Sequence, residues 1–303
     1  MSTAADIHLA PARTRWQQLW HDYSRNRVSV WALGFCGLLL LAALSCAWLA
    51  PQNPYDLAVI DMFDSRLPPG SRNPQGMTYW LGTDGQGRDM LSAMLYGLRL
   101  SLFVGAVSGA LGIGLGVSLG LIAAYWGGWV DTVIMRVVDF MLGFPTILIA
   151  LILLSLLGQG VDKVIFALMM VQWAYFARAV RSTALSERNK EYVEAAISLG
   201  LSKLRIVFGH ILPNCMPSIL VIATVQIAHA ISTEATLSFL GLGLPITEPS
   251  LGLLIANGFA FLLSGLYWVS VFPGLLLLVT IFCINLVGDR LRDILNPRSQ
   301  RTP

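Results

Sequence analysis

Residues 187 to 214 read Glu-Arg-Asn-Lys-Glu-Tyr-Val-Glu-Ala-Ala-Ile-Ser-Leu-Gly-Leu-Ser-Lys-Leu-Arg-Ile-Val-Phe-Gly-His-Ile-Leu-Pro-Asn. The charged part lies between apolar runs at 161 to 180 and 211 to 234, each long enough to cross a bilayer, which needs roughly 20 mostly apolar residues. A charged helix held between two such runs has no role in the bilayer itself. It predicts a surface presented to a partner in the cytoplasm.

The surrounding chain has the composition of a membrane protein: of 303 residues, 55% are hydrophobic and 12% charged, and the mean hydropathy is +0.67. Six windows qualify as spans: 28 to 50, 100 to 125, 134 to 157, 161 to 180, 211 to 234 and 267 to 288. A further apolar patch at 251 to 263 is too short to cross and reads as re-entrant. The expected fold is all-α and polytopic, with six transmembrane helices, one cytoplasmic helix and both termini cytoplasmic. The net charge of +3 is spread over separate segments, so it implies no nucleic-acid surface. Its distribution sets the orientation. With the N-terminus inside, Arg13, Arg15, Arg25, Arg27, Arg136, Arg178, Arg181, Arg188, Lys190, Lys203, Arg205, Arg290, Arg292, Arg298 and Arg301 fall on the cytoplasmic side. Arg66, Arg72, Arg88, Arg99 and Lys163 fall outside or near the outer interface.

The first apolar run follows a long polar segment and exceeds the core of a cleaved signal, so it reads as a retained span. Cys36, Cys46, Cys215 and Cys283 lie in or beside apolar runs without CxxC spacing, which suggests neither a disulfide framework nor a zinc site. Three sections follow. Residues 1–98 hold an N-terminal tail, the first span and an external loop; 99–290 hold five spans and a cytoplasmic helix within 189–205; 291–303 form a cytoplasmic tail. The external loop, from about 51 to 97, is too poor in apolar runs to bury a core of its own.

The cytoplasmic helix is legible in its own chemistry. Asn189 is the expected N-cap, Glu191 and Glu194 favour the positive N-terminus, and Gly200 is the expected stop. Tyr192, Ala195, Ala196 and Leu199 share one face by three- and four-residue spacing, a stripe suited to a protein groove. A helix lying on lipid would carry bulkier anchors such as Trp or Phe there.

In the second span, Gly105, Gly109, Gly112, Gly116 and Gly120 allow close helix approach, either within the subunit or between subunits. Arg136 and Asp139 sit three residues apart and are expected to pair, with Asp131 nearby. Arg178 and Arg181 serve orientation and headgroups, or touch a cytoplasmic partner. His229 reads as a satisfied buried histidine, and Glu234 as structural or as a contact for a cargo amine. Trp80, Trp126, Trp129 and Trp268 read as interface anchors, and Pro145 and Pro273 as bends in their spans. The chain contains no Gly-x4-Gly-Lys-Ser/Thr loop, no His-Glu-x-x-His site, no Gly-x-Ser-x-Gly elbow and no chain of intramembrane carboxylates. It therefore carries no phosphate cradle or proton relay, and any energy must come from a partner.

Glu194-Ala195-Ala196, Gly200 after three more residues, and Leu212-Pro213 after a further eleven resemble the cytoplasmic EAA motif of ABC importer permeases. That family normally has Ile two residues before the Leu-Pro; here the position is His210, and His-Ile-Leu-Pro-Asn is similar to the peptide and nickel branch. Leu81-Gly82-Thr83-Asp84, Gly87-Arg88-Asp89, Leu91-Ser92, Tyr96-Gly97 and Arg99-Leu100-Ser101-Leu102 resemble the segment before span two of the second, or C, permease of that branch, with Ala93 where an Arg is common. Glu234-Ala235 and Leu237-Ser238-Phe239-Leu240-Gly241-Leu242-Gly243, followed by Pro245 and Pro249-Ser250, resemble it again, without the usual double proline and Trp. The likeness runs from about residue 15 to 297 and ends in Gly288-Asp289-Arg290-Leu291-Arg292-Asp293.

The resemblance implies a permease subunit of an ATP-driven importer in the bacterial inner membrane, working by alternating access and not itself an enzyme. Its implied partners are a homologous permease, two ABC ATPase subunits, a periplasmic substrate-binding protein and membrane lipids. No cofactor is expected on this chain, with ATP and Mg held by the ATPases. The helix within 189–205 becomes the coupling helix, with Glu191, Tyr192, Glu194, Ala195, Ala196, Leu199, Gly200 and Leu201 facing the ATPase. Asp84, Arg88, Asp89, Glu234 and Phe239 are expected along the cargo pathway or at the binding-protein face. The implied cargo is a short peptide, with nickel, a metallophore complex, glutathione or a peptide antibiotic as alternatives on the same scaffold. Two other classes are a secondary transporter or channel, which would need buried coupling carboxylates of which this chain offers almost none, and a membrane scaffold or sensor, in which the cytoplasmic helix would bind a signalling protein instead of an ATPase.

Overall fold

The computed structural model describes residues 15–56, 60–74 and 76–295. Arg13, Arg298 and Arg301, counted above for orientation, lie outside them. A short helix α1 (Arg15–Ser24) leads into α2 (Arg27–Leu44), whose N-terminus is capped by the Asn26 side chain accepting from the Val28 and Ser29 amides. After α3 (Cys46–Leu49) the chain forms a small antiparallel hairpin, β1 (Ser71–Arg72) with β2 (Thr78–Tyr79), Ser71 opposite Tyr79. The Asp89 side chain then caps α4 (Met90–Trp126), a helix of 37 residues, about 55 Å long at 1.5 Å per residue. It projects well beyond a hydrocarbon core of roughly 30 Å.

The third predicted span is not one rod. It is built from α5 (Gly128–Gly143) and α6 (Thr146–Leu157), which meet at 92°. Pro145 has no amide hydrogen to donate and pushes Phe144 into an extended conformation, φ −102° and ψ 147°, so the helix stops and restarts. Among the described residues, five helices are long and apolar enough to cross, and six spans result when the bent pair counts as one. The others are α7 (Val161–Arg188), the continuous run from Lys203 to Phe239 and α12 (Trp268–Leu295). The run from Lys203 comprises α9 (Lys203–Ile206), a π turn at Val207–Ile211 and α10 (Leu212–Phe239). In the π turn the Leu212 amide donates five residues back to Val207, immediately before Pro213, which cannot donate at all.

The centre of the bundle is the packing of α4 against α7 and α10, and the glycine stripe of the second span makes it possible. A Cβ at Gly116 would lie 2.4 Å from the Trp173 carbonyl oxygen, and one at Gly120 would lie 2.6 Å from that of Ala177. On the neighbouring face, a Cβ at Gly105 would meet Ile231 at 2.7 Å. Of the two readings left open for these glycines, packing within the subunit is the one the structure adopts.

Two ion pairs tie α5 to the far part of α7: Asp139 with Arg178 and Asp131 with Arg181. The expected Arg136–Asp139 pair is therefore replaced by one across helices, because Arg178, near the end of the apolar window of α7, lies alongside α5. Trp80, Trp126 and Trp129 are exposed as interface anchors would be, but Trp268 is buried and its Nε1 donates to the Thr83 carbonyl at 3.3 Å. The apolar patch at 251 to 263 forms α11 (Leu251–Phe259) and a 3-10 turn, folded between α10 and α12 at the hairpin end.

Candidate functional site

Between α7 and α9 the chain makes one short helix, α8 (Glu191–Ser198), at the end of the molecule opposite the hairpin. Asn189 is the C-cap of α7 rather than the N-cap of α8, whose N-cap is Lys190 without a side-chain bond. The far end closes on Gly200 at φ +73°: its amide donates to Ile197 O at 2.9 Å and that of Leu201 to Ala196 O at 3.2 Å. This paired closure needs a left-handed residue, and glycine adopts that conformation without strain.

One face of α8 is fastened to its own chain. Val193 and Ala196 are buried among Val180, Ala184, Ile206, Val207 and Ile211. The Glu187 carboxylate, buried at the end of α7, accepts from Lys190 Nζ at 2.7 Å and from the Tyr192 hydroxyl at 2.8 Å. Asn214 Nδ2 donates to the same hydroxyl at 3.2 Å and to the His210 carbonyl at 2.7 Å, which ties α8 to α10. Burial, together with the Glu187 charge, pushes the Tyr192 hydroxyl up to about 12, so it stays a neutral donor. Arg188 donates to the Ala124 carbonyl at 2.9 Å and secures the adjoining end of α4.

The other face is open. Glu191, Glu194, Ala195, Ile197, Ser198 and Leu199 are exposed, Leu199 at 80%, and Leu204 and Phe208 extend the patch. The expected stripe therefore splits: Ala196 and much of Tyr192 turn inward, whereas Ala195 and Leu199 remain outside. The apolar spacing predicts one docking face, but a short helix must first bury a face against its own subunit. Ile197, Leu204 and Phe208 were missed for the same reason; their apolar character beside the charged run was the available signal.

At the hairpin end, the residues expected to meet cargo or a binding protein are consumed internally. Arg88 Nε donates to Asp84 Oδ2 at 2.7 Å with both side chains 1% exposed, and Asp84 Oδ1 also accepts from the Gln86 and Arg88 amides. Asp89 caps α4 by accepting from the Ser92 amide at 2.8 Å and hydroxyl at 2.6 Å. Glu234 is buried, accepting from Ser101 and Ser238, each at 2.8 Å. Only Phe239 is exposed, edge-on to Phe259 at 5.7 Å. As placed, Asp84, Arg88, Asp89 and Glu234 are buried within the cap, with Arg88 Nη2 and Asp89 Oδ1 meeting no partner among the described residues. Polar bonds brace the described part of the loop: the Tyr79 hydroxyl, pushed up to about 12 by burial and by Asp64, donates to Asp64 Oδ2 at 2.8 Å.

The chain is similar to known proteins along most of its length. The family profile described as "Binding-protein-dependent transport system inner membrane component" matches residues 116–301, and "N-terminal TM domain of oligopeptide transport permease C" matches residues 14–69. The dipeptide transport system permease protein DppC of Escherichia coli K12 is 40% identical over 283 residues, covering 93% of each chain. DppC of Haemophilus influenzae is 34% identical over 286 residues, 94% of this chain and 96% of that one. The glutathione transport system permease protein GsiD of Pectobacterium atrosepticum is 36% identical over 298 residues, 98% and 96%. Among solved structures, a chain of the inward-facing MetNI methionine ABC transporter superposes with a TM-score of 0.56 at 21% identity, covering 68% of this chain and 98% of that one. That likeness concerns the fold.

Proposed function

The chain belongs to the family of binding-protein-dependent transport system inner membrane components, and from that premise we propose that it is the C-type permease subunit of an ATP-driven importer of short peptides. It is a multi-pass membrane protein of that family. Its partners in this reading are a homologous permease, two ATPase subunits that hold ATP and Mg, and a substrate-binding protein on the opposite side.

The observation that carries the reading is the two-sided character of α8. Its inner face is locked to α7 and α10 through Val193, Ala196 and the Glu187–Tyr192–Asn214 bonds. Its outer face offers Glu191, Glu194, Ala195, Ile197 and Leu199. A helix so mounted transmits a rigid-body push to the two long helices it adjoins. ATP-driven closure of the partner ATPases would move α8, and with it the spans, between outward-open and inward-open arrangements. Peptide is favoured over glutathione because the dipeptide relatives include the 40% match; glutathione, itself a tripeptide, fits the same chemistry.

Affinity purification of the tagged chain from its native membrane tests the assembly. Copurification with two ATPases and a second permease is expected. A homo-oligomer that transports peptide without any ATPase would overturn the reading.

A further inference from the structure

A cleft of about 840 Å³ opens beside the α8 end, walled by Leu142 of α5, by Tyr175 and Ser182 of α7, by Ser218 and Val225 of α10, and by Arg292 of α12. Gln226 also lines it. That side chain is only 8% exposed, and its Oε1 meets no donor among the described residues. A buried carbonyl oxygen without a donor is costly and uncommon, and it persists where something else supplies the hydrogen bond. The wall around it is apolar with a few neutral hydroxyls. Of the two arginines, Arg178 is committed to Asp139, and Arg292 stands in the last turn of α12.

We infer that Gln226 is a positioning residue of the cargo pathway, whose Oε1 accepts a hydrogen bond from a backbone amide N–H of the passing peptide. This rests on the peptide-import reading above. The last torsion of a glutamine is broad, so the oxygen turns toward cargo without moving α10. The choice of chemistry follows from the site. A neutral acceptor in a largely apolar wall binds an amide donor, whereas a free ammonium would call for a carboxylate, and among the described residues the cleft lining has none. Every peptide bond not made by a proline nitrogen bears such an N–H, so the contact holds cargo in register with little selection of its sequence.

The test uses the full complex with its ATPases and binding protein in proteoliposomes, with dialanine and glutathione as cargo. Gln226→Leu keeps the size and removes the acceptor; its uptake is expected to fall about tenfold, the scale of one lost hydrogen bond. Gln226→Asn keeps a carbonyl and is expected to retain uptake within about threefold. Separately, Ser218→Cys and Val225→Cys are expected to react with a membrane-impermeant thiol reagent applied from the ATPase side, above the wild-type background. Uptake by Gln226→Leu within twofold of wild type overturns the proposal, as does equal loss in Gln226→Asn. So does failure of the reagent to reach either cysteine, an arm that stands even where Gln226→Leu does not assemble. A wild-type complex that carries neither cargo strikes at the peptide reading instead, and the thiol labelling still reports whether the cleft is open.

Discussion

Glu187 is one carboxylate with two donors, Lys190 and Tyr192, and it fixes where α8 sits. Tyr192→Phe removes one donor from a buried charge while keeping the ring in place, at a cost of about 1 kcal/mol. Hydrogen exchange at the α8 amides is expected to quicken about fivefold; unchanged exchange would show that Val193 and Ala196 alone hold the helix. Because the Tyr192 hydroxyl is raised from 10.0 to about 12, its contribution is fully present below pH 10 and is lost only as pH climbs through the higher value, so α8 exchange protection should not change through this group across neutral pH. Glu194 faces outward, and Glu194→Lys reverses its charge without touching the core. The variant should insert normally but lose about tenfold in uptake per ATP hydrolysed, as one disrupted interface contact would cost. Uptake equal to wild type at equal expression would remove α8 from the coupling role. The sequence identified Glu194, Ala195 and Gly200 as a unit, but not which side of the helix was free. Ala195 and Ala196 are adjacent and chemically identical, and only the position of Val180, Ala184 and Ile211 against Ala196 separates them.

Among the elements, α4 shows how far a pattern carries. Its glycines signalled close helix approach, and the approach is so close that backbone meets backbone. Gly116→Val places a side chain against the Trp173 carbonyl, which no rotamer can relieve, whereas Gly114 has nothing within 4 Å of an added Cβ. Gly116→Val is expected to destabilise the purified protein by about 1–3 kcal/mol or more, read as a lower melting temperature in detergent, while Gly114→Val stays near wild type. Equal melting of the two would refute the packing account. The broken third span was half legible. Pro145 announced a bend, but a right angle between α5 and α6 depends on what each half packs against, which hydropathy does not encode. The same limit explains α7, whose helix outlasts its apolar window by eight residues, 181 to 188; there the Arg181–Asp131 ion pair to α5 takes over from lipid.

At the scale of the whole molecule, charge bias predicts that the α8 end lies in the cytoplasm and the hairpin end outside. Ser202 and Arg72 are exposed at opposite ends. In intact cells an impermeant thiol reagent is expected to label Arg72→Cys at once and Ser202→Cys only after the inner membrane is opened; the reverse order would invert the topology.

The sequence by itself determined the membrane class, the six apolar windows, the charged interruption that becomes α8 and the family to which its motifs point. These are properties of local composition and spacing, and lipid imposes them on any chain of this kind. The tertiary structure alone decided which polar residues are spent inside and which remain available. Asp84, Arg88, Asp89 and Glu234, expected along the cargo pathway, are buried on internal partners, with Arg88 Nη2 and Asp89 Oδ1 meeting none among the described residues; Gln226, which no motif singled out, likewise keeps an unpaired oxygen, and it lines a cleft. Whether a polar group is free depends on the partners that distant segments bring within about 3 Å of it, a distance that spacing along the chain does not specify.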